Sequence, residues 1–383
     1  MYSRKKLILS VAGGLLAGVL IVLASMSYLV GALTGSTTGT LKIIAAMNIM
    51  KNQYVQAADP DTLVNGAIKG IASSVGDPHT AYLHGEAYKR LLSETKGEFG
   101  GIGSVIGEKD GVPTIVMPME DSPSTAAGVR AGDKILKVNG VETKGWTLDD
   151  TVSKIRGPKG TTVDLTLQNE NEPAREVSIV RDTIKSKTVA GKMLEGDIGY
   201  VRLSHFSDNS PEEFGNALKE LDEKGMKKMI LDLRHNPGGA LKSSVSIANY
   251  IIPKGPVVSI VNKTGKKEEY FSNLEKPKYE LVVLIDKYSA SASEIIAGAV
   301  QDTKAGTLVG QTTYGKGSVQ TVIPLDFDSA FKVTIAKYYT PANRSIDGVG
   351  VTPDVEVELQ KQVPGGKPID NQLDKAIEVL RNK

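Results

Sequence analysis

The amino-terminal part of the chain contains one long apolar run. From Leu7 to Leu33 the residues are almost all apolar or small and none is charged, and a basic run at residues 4–6 precedes them. About 27 such residues can cross a bilayer, and the basic flank places the amino terminus in the cytoplasm. A cleaved signal peptide is the alternative, but its apolar region normally has about 7 to 15 residues. The pattern therefore predicts an uncleaved anchor, with residues from about 34 onward outside the cytoplasm.

The next segment has a helical period. Leu63, Ala67, Ile71 and Val75 recur at every fourth position, which predicts one apolar face of a helix. Beyond residue 97 the pattern changes to short β-rich runs separated by glycine. The sequence therefore predicts a helical lead-in followed by a small β-rich domain.

From about residue 187 strands alternate with helices. "IGYVRLSHF" predicts a strand, and "SPEEFGNALKELDEKG" predicts a helix with Ser210 as its cap, Pro211 as its first residue, Glu213 completing a capping box and Gly225 after its end. The buried runs "KKMILDL", "ELVVLID" and "TLVG" follow with helices between them, which indicates an α/β domain. The final "DNQLDKAIEVLRNK" predicts an amphipathic helix.

Composition removes several classes of function. Lys+Arg number 46 and Asp+Glu 44, so the formal charge of +2 gives no argument for a nucleic-acid partner. The chain has no cysteine, which excludes disulfides, thiolate metal sites and a cysteine nucleophile. The four histidines lack metal-ligand spacing and are interpreted as surface or structural residues: His79, His84, His205 and His235.

A serine-rich turn is the first candidate for chemistry. "YELVVLIDKYSASASEIIAGAVQD" places a buried strand before a turn of small residues and then a helix. A serine on such a turn exposes its hydroxyl, and the following backbone N–H groups point at developing negative charge. Ser289, Ser291 and Ser293 alternate here, so the pattern alone does not choose the nucleophile, and a plain helix cap is the alternative.

The segment "GQTTYGKGSVQ" (310–320) supplies a candidate base. Gly310, Gly315 and Lys316 have the spacing of a phosphate-binding loop, but Gly317 stands where that motif needs Ser or Thr. The following "SVQTVIPLDF" predicts a strand, whereas a phosphate loop must open a helix. Without a suitably placed histidine, the neutral amine of Lys316 is the available base, provided that the site lowers its pKa from about 10.4.

Residues 97–183 resemble a PDZ domain of the bacterial protease type. The resemblance is carried by "GGIGSV" and "SPSTAAGVRAGDKILKVNG". It implies that the loop containing Gly101, Ile102 and Gly103 presents backbone N–H groups to a terminal carboxylate, and that an extended peptide joins the sheet edge. Arg156 is similar to an arginine that couples this module to the active site in related proteins, and a surface residue that caps a turn is the alternative.

Nearly all of the chain outside the anchor resembles the carboxyl-terminal processing protease (tail-specific protease) family. The motifs are "LDLRHNPGGAL", "SASASEIIAGAVQD", "GQTTYGKGSVQ" and "KYYTPANRSIDGVGVTPD". The resemblance implies that Ser291, the middle serine, is the nucleophile and Lys316 the base, with Gln320 orienting the lysine. Ser289 and Ser293 stay as rival nucleophiles.

The resemblance also implies the residues around this dyad. The oxyanion donors are the N–H of Ala292 and one from the "NPGG" turn, with Gly238 preferred and Gly239 as the near alternative. Polar positions that are important in relatives are interpreted here as supporting residues, not as the base: Glu294, Asp302 and Thr313.

The resemblance finally implies a membrane-anchored serine endopeptidase that recognises apolar protein carboxyl termini. It implies that the enzyme needs no metal or organic cofactor and forms a homodimer. A regulatory protein that binds the PDZ domain is a further candidate partner. The expected fold is an α/β protease core of the ClpP/crotonase-like spiral type with an inserted PDZ domain. Two alternatives stay open: an inactive PDZ adaptor and a crotonase-like acyl-CoA enzyme. The expected organisation is a basic tail (1–6), anchor (7–33), helical region (34–96), PDZ domain (97–183), protease core (184–358) and carboxyl-terminal segment (359–383).

Overall fold

The computed structural model describes residues 4–109, 111–119, 121–170, 172–185, 187–360 and 370–382, without the side chains of residues 4–12 and 94. The chain divides into two compact units. The first comprises Met1–His84 and Val322–Val333, and the second comprises Gly85–Thr321 and Thr334–Lys383. Each unit is described by itself.

The first unit begins with the apolar run as a helix. Its elements are α1 (Arg4–Thr34), α2 (Thr37–Gln53), α3 (Pro60–Ser73) and β1 (Ala81–His84). Within the described residues, one segment of 22 residues, Gly13–Thr34, with a mean hydropathy of 2.2, is long and apolar enough to cross a membrane. A signal sequence would satisfy the same length and composition, so this finding shows an apolar amino-terminal helix and no more.

Two details of the first unit differ from the sequence prediction. The helical face predicted at Leu63, Ala67, Ile71 and Val75 is wrong in its second half, because α3 ends at Ser73 and the side chains of Ile71 and Val75 are exposed. Instead Ala72 is the buried residue of this helix. The strand β1 was not predicted, because four residues are too few to show a period, and its partner lies far away in sequence: Tyr82 pairs with Phe331.

The amino-terminal part of the second unit is mainly β. Its elements are α4 (Glu86–Lys96), β2 (Glu98–Gly101), β3 (Ser104–Lys109), β4 (Val112–Pro118), α5 (Pro123–Ala126), β5 (Asp133–Val138), β6 (Val141–Glu142), α6 (Leu148–Ile155), β7 (Thr162–Asn169), β8 (Arg175–Val180) and β9 (Asp182–Lys185). The main sheet has the order β3-β4-β5-β7-β8, so β3 is an edge strand. The strands that lead into and out of this region, β2 and β9, pair with each other in an antiparallel ribbon.

The α/β region comprises the rest of the second unit, and two of its strands, Ser318–Pro324 and Ser329–Tyr339, include residues of the segment 322–333 that is counted with the first unit. Its elements are β10 (Val189–Met193), β11 (Ile198–Leu203), α7 (Ser210–Glu223), β12 (Lys228–Asp232), α8 (Leu241–Ile251), β13 (Gly255–Asn262), β14 (Lys267–Ser272), β15 (Glu280–Ile285), α9 (Ala292–Asp302), β16 (Gly306–Gly310), β17 (Ser318–Pro324), β18 (Ser329–Tyr339), β19 (Val355–Glu356) and α10 (Asn371–Arg381). The strands predicted from "IGYVRL", "KKMILD", "ELVVLI" and "TLVG", and the terminal helix, are confirmed.

The central sheet of this region is largely parallel. Its order is β10-β11-β12-β15-β16-β19, and each pair from β11 onward is parallel. Successive side chains of the middle strands enter two hydrophobic clusters: Leu231 and Val283 belong to one, Ile230 and Val282 to the other. Because both faces are covered, these strands are continuous apolar runs without polar alternation.

The predicted start of α7 is shifted by one residue. Asn209 occupies the cap position and makes no capping side-chain bond, while Ser210 is already helical. The Ser210 hydroxyl accepts the Ser207 N–H at 2.8 Å, and the Glu213 carboxylate accepts the N–H of Thr188 at 2.7 Å. The prediction of Ser210 and Glu213 as a capping box was therefore wrong, because tertiary partners satisfy both side chains.

A buried arginine attaches the terminal helix to the sheet. Arg234, just after β12, forms two hydrogen bonds with Asp370, the cap of α10, at 2.7 and 2.8 Å, and its side chain also contacts the buried Asp232. Burial alone would raise the pKa of Asp370, but the Arg234 guanidinium holds it below its ordinary value. This carboxylate therefore stabilises the folded state above the pKa of the unfolded chain, and loses that contribution as pH falls through the folded pKa.

Replacing Asp370 by Asn should loosen α10 at neutral pH. The lost charge-assisted bonds are worth about 1 to 2 kcal/mol for a partly exposed carboxylate, so hydrogen-exchange protection of α10 should fall about 5- to 30-fold at pH 7. The difference from the unmodified protein should begin to shrink as pH falls below about 4, the pKa of an aspartate in the unfolded chain, and should be lost as pH falls through the lower folded pKa of Asp370. Glu195→Gln, which disrupts an exposed pair with Arg381, is the control and should change nothing measurable. Equal protection in both variants would contradict the attachment.

Candidate active site

The carboxyl ends of three neighbouring parallel strands converge on one place. After β12 comes the turn containing Asn236 and Gly238, after β15 the turn ending in Ser291, and after β16 the loop ending in Lys316. The Ala290 N–H donates to the Asn236 carbonyl at 3.0 Å, and the Tyr314 N–H donates to the Ser289 carbonyl at 3.0 Å. Loops at this edge of a parallel sheet are where α/β proteins build their sites.

Ser291 has an unusual backbone conformation. It lies immediately before α9 with φ 55° and ψ −112°, a region that side-chain-bearing residues rarely occupy. Such a conformation costs about 1 to 3 kcal/mol and persists only where the surroundings enforce it. A serine held on a strained turn between a strand and a helix presents its hydroxyl outward.

The two neighbouring serines have different surroundings. Ser289 is fully buried, donates its hydroxyl to the Leu233 carbonyl at 2.9 Å and accepts the Asp286 N–H at 2.9 Å. Ser293 is also fully buried and donates to the Asn236 carbonyl at 2.9 Å. Both hydroxyls therefore hold the turns together, whereas Ser291 is partly exposed.

One buried carboxylate joins the serine turn to the lysine loop. Glu294 is 0 % exposed, and one of its oxygens accepts the N–H of Ser291 at 2.7 Å and the N–H of Lys316 at 2.9 Å. The other oxygen accepts the Thr313 hydroxyl and the Gly315 N–H, each at 2.6 Å. None of these four contacts comes from a cation. The cost of burying the carboxylate charge is therefore offset by the four hydrogen-bond donors and by the amino-terminal end of α9. The carboxylate fixes the backbone of Ser291 and Lys316 to a common point.

The glycine turn lies directly against Ser291. A β-carbon at Gly238, where φ is +100°, would lie 2.6 Å from the Ala290 carbonyl oxygen and 2.8 Å from the Ala292 nitrogen. The Gly238 N–H donates to the Asn236 side chain at 2.9 Å, and that side chain is fixed by a second bond to the Leu203 carbonyl at 2.8 Å. The N–H groups of Gly239 and Ala292 have no acceptor among the described residues.

The lysine loop continues into β17, which carries Gln320. The Gln320 amide donates to the hydroxyls of Ser318 at 2.8 Å and Thr334 at 3.1 Å. These two bonds use both amide hydrogens and leave the amide oxygen as the remaining acceptor. Lys316 itself is partly buried.

The predicted supporting residues fall into two places. Thr313 contacts Glu294 and accepts the Val351 N–H at 2.7 Å, so it belongs to the site. Asp302 lies at the far end of α9, where it accepts the Ala342 N–H at 2.8 Å and pairs with Arg344. Asp302 therefore holds a loop and does not contact the residues described around Glu294.

Two residues near the site were missed by sequence reasoning. Asn236, which is 0 % exposed, links three turns, and its position inside the "HNPGG" segment is the only signal it gives. Tyr338 places its hydroxyl 3.1 Å from the Ser291 carbonyl oxygen and also contacts the Lys316 carbonyl. Nothing in the pattern of "FKVTIAKYYT" separates this tyrosine from an ordinary strand residue.

His235, next to the glycine turn in the sequence, pairs with an aspartate. His235 is more than half exposed, contacts Asp286 at 2.7 Å and packs against the Tyr288 ring. Within the described parts of the chain, no cluster of three or more His, Asp or Glu side chains could hold a metal ion.

The predicted carboxylate-binding loop is fixed by its carbonyl groups. The Gly103 carbonyl accepts the Ser124 hydroxyl at 2.7 Å and the Met119 N–H at 2.8 Å, and the Ile102 carbonyl accepts the Ser124 N–H at 2.8 Å. The loop runs from Gly101, at the end of β2, into the edge strand β3. Arg156, just after α6, stacks over the ring of Phe99 with 4.4 Å between the guanidinium carbon and the ring centre.

Family models match three parts of the chain. The model of peptidase family S41 matches residues 197–357, a PDZ domain model matches residues 114–169, and a model described as the activating protease CtpB N-terminal domain matches residues 30–87. These matches fall on the α/β region, the β-rich region and the helical lead-in respectively.

Whole-chain relatives agree with these models. A carboxy-terminal-processing protease of Bartonella bacilliformis is 39% identical and covers 92% of this chain and 83% of its own length. Carboxy-terminal processing protease CtpA of Bacillus subtilis is 39% identical over 83% of this chain and 69% of its own length. The solved photosystem II D1 C-terminal processing protease is 28% identical, covers 89% of this chain and 96% of its own, and has a TM-score of 0.51.

Replacing Gly238 by Ala should disrupt the serine turn. The added carbon would collide with backbone atoms that cannot move independently, and the residue would also be forced into a left-handed conformation. Gly225→Ala is the matched control, because φ is +89° there and nothing lies within 4 Å, so only about 1 to 2 kcal/mol of conformational cost applies. Thermal unfolding and hydrogen exchange of residues 286–302 should show a much larger effect for Gly238→Ala. Equal effects of the two replacements would contradict the close contact between Gly238 and the backbone of the serine turn.

Proposed function

Because the chain belongs to the carboxy-terminal processing proteases of peptidase family S41, and is a serine peptidase with a PDZ domain, we propose that it cleaves proteins near their carboxyl ends with a Ser291–Lys316 dyad. The observation that carries the proposal is the shared Glu294 oxygen, which lies 2.7 Å from the backbone nitrogen of Ser291 and 2.9 Å from the backbone nitrogen of Lys316. A nucleophile and a base must be close together, and this carboxylate brings together the two segments that carry them.

Ser291 is the proposed nucleophile. Its strained turn and partial exposure support this role, whereas the hydroxyls of Ser289 and Ser293 are buried in structural hydrogen bonds. Lys316 is the proposed base, and the Gln320 amide oxygen, which remains as an acceptor after both amide hydrogens are used, is proposed to accept a hydrogen bond from the lysine amine. Glu294 and Thr313 support the two segments.

The proposed reaction is acyl transfer. Ser291 Oγ attacks the peptide carbonyl carbon as Lys316 Nζ takes its proton, and the carbonyl oxygen becomes a tetrahedral oxyanion. Lys316 returns the proton to the leaving amine, the C–N bond breaks, and an acyl-enzyme ester remains. Water, deprotonated by Lys316, then hydrolyses the ester and releases the new carboxyl terminus. No metal or organic cofactor takes part.

The proposed oxyanion donors are the Ala292 N–H and one N–H of the glycine turn. In the present arrangement the Gly238 N–H is directed to Asn236, whereas the Gly239 N–H has no acceptor among the described residues, which favours Gly239 as the second donor. Gly238 would take this role only after its peptide turned away from Asn236. Either donor would act together with the amino-terminal end of α9 on the developing negative charge.

The proposed substrates are proteins with apolar carboxyl termini. The carbonyl groups of Ile102 and Gly103 accept hydrogen bonds from Met119 and Ser124. The N–H groups on the opposite side of the same peptide units are therefore proposed to bind the terminal carboxylate. The edge strand β3 can then pair with the peptide backbone. Arg156, stacked on Phe99 of the connecting ribbon, is proposed to couple this event to the core, and a regulatory protein could act on the same domain.

Placement at a membrane is the remaining part of the proposal. The apolar helix Gly13–Thr34 would act as a single-pass anchor in the cell membrane, with the catalytic part outside the cytoplasm. The exposed apolar side chains of α2, such as Leu41, Ile44 and Ile49, support a homodimer built through the helical region. The parallel strands with helical crossovers support a crotonase-like spiral for the core.

Cleavage of an unstructured protein tests both halves of the proposal. The detergent-solubilised full chain should shorten a substrate that ends in apolar residues, with products identified by mass spectrometry. Ser291→Ala and Lys316→Ala should each reduce kcat by at least about 100-fold because nucleophile or base is lost. Lys263→Ala, in an exposed turn, is the control for the lysine and should retain full activity. A substrate with an amidated carboxyl end should be cleaved much more slowly.

Each failure has a separate meaning. Full cleavage by either dyad variant would contradict the assignment of the dyad. Equal cleavage of the amidated and free substrates would contradict recognition of the terminal carboxylate while leaving the dyad intact. Binding of the substrate by the unmodified chain without any cleavage would instead support an inactive adaptor.

A further inference from the structure

Tyr338 lies where β18 passes beneath both reactive segments. Its side chain is 2% exposed, and its hydroxyl contacts the carbonyl oxygens of both Ser291, at 3.1 Å, and Lys316. Its own N–H donates to the Gly317 carbonyl at 3.0 Å. A tyrosine hydroxyl has a single hydrogen, so the two carbonyl oxygens share one donor that lies between them.

The Tyr338 contacts complement those of Glu294. Glu294 accepts the N–H groups of Ser291 and Lys316, while Tyr338 donates toward their carbonyl groups. The N–H of each dyad residue therefore binds Glu294, and the carbonyl of each contacts Tyr338, whose single hydrogen the two carbonyl oxygens share. Because Ser291 is in a conformation that costs free energy, removing one of these contacts lets its backbone relax.

The surroundings keep Tyr338 a hydrogen-bond donor. Burial raises the pKa of Tyr338 well above its ordinary value, and the negative charges of Glu294 and Asp347 and a hydrogen bond with the Glu294 side chain add to the increase. The hydroxyl stays protonated at every pH at which a protease would normally work. It therefore acts through its contacts and not by exchanging a proton with substrate.

We propose that Tyr338 is a positioning residue of the Ser291–Lys316 dyad, which it holds in reactive geometry by bridging the two backbone carbonyl groups. The proposal rests on the dyad assigned above. A displacement of about 1 Å at a reacting group costs about 100-fold in rate, so loss of one hydroxyl at this point affects kcat far more than its contribution to stability suggests.

The test compares two tyrosine-to-phenylalanine variants of the full chain. Tyr338→Phe should lower kcat about 10- to 100-fold with KM within twofold of the unmodified protein, and should slow fluorophosphonate labelling of Ser291 in parallel. Tyr279→Phe removes a comparable hydroxyl, which donates to Asp222 at 2.9 Å and belongs to neither dyad segment. This replacement should lower the unfolding temperature without changing kcat. Rates are expressed per titrated active site, so that an unfolded fraction does not count.

A conservative replacement separates positioning from packing. p-Aminophenylalanine at position 338 keeps a donor at the same place and should restore most of kcat. The pH dependence of kcat should keep its shape in Tyr338→Phe, because the hydroxyl does not titrate in the working range.

Several results would overturn the inference. These are an unchanged kcat in Tyr338→Phe, an effect on KM alone, loss of one limb of the pH profile, or no rescue by p-aminophenylalanine. Ser291→Ala and Lys316→Ala are measured in the same assay. If either of these variants stays active, the assignment of the dyad is wrong. If both are inactive and Tyr338→Phe is fully active, only the role proposed for Tyr338 is wrong.

Discussion

The site depends on one buried carboxylate. Glu294 receives hydrogen bonds from Ser291, Lys316, Gly315 and Thr313, and none of these comes from a charged side chain. Hydrogen bonds to a charged acceptor are worth about 1.5 to 3 kcal/mol each, and an unmet buried charge costs more than that, so the arrangement is strongly enforced. It also explains how Ser291 keeps a backbone conformation that would otherwise relax.

This constraint follows from the order of the parallel strands. β12, β15 and β16 are neighbours, so their carboxyl ends place the glycine turn, the serine turn and the lysine loop side by side. Asn236, Ser289 and Ser293 connect these turns through buried hydrogen bonds, and the Arg234–Asp370 contact attaches the terminal helix beside them. The sheet therefore supplies the rough position of each group, and buried polar side chains supply the final geometry.

Sequence reasoning was strongest where a pattern is long and local. The apolar strands, the terminal helix and the small-residue turn of "SASAS" all follow from periodicity and turn chemistry. It failed at Ser210, whose hydroxyl binds Ser207, and at β1, whose partner is about 250 residues away, since local patterns do not contain such tertiary partners. Among the three serines the pattern could not choose, because their burial depends on neighbouring strands. Tyr338 could not be identified from the sequence, because its contacts with Ser291 and Lys316 are also tertiary.

The most direct measurement is the reactivity of Ser291 after Glu294→Gln, which keeps the size of the side chain but replaces two of the acceptor positions with donors. Glu213→Gln is the matched control, because Glu213 also lies in the first turn of a helix and accepts backbone N–H groups, but from Thr188 and Val189 and not from Ser291 and Lys316. The account predicts that fluorophosphonate labelling of Ser291 slows by about 100-fold or more in Glu294→Gln and stays unchanged in Glu213→Gln. Labelling of a folded Glu294→Gln protein at the rate of the unmodified chain would contradict it.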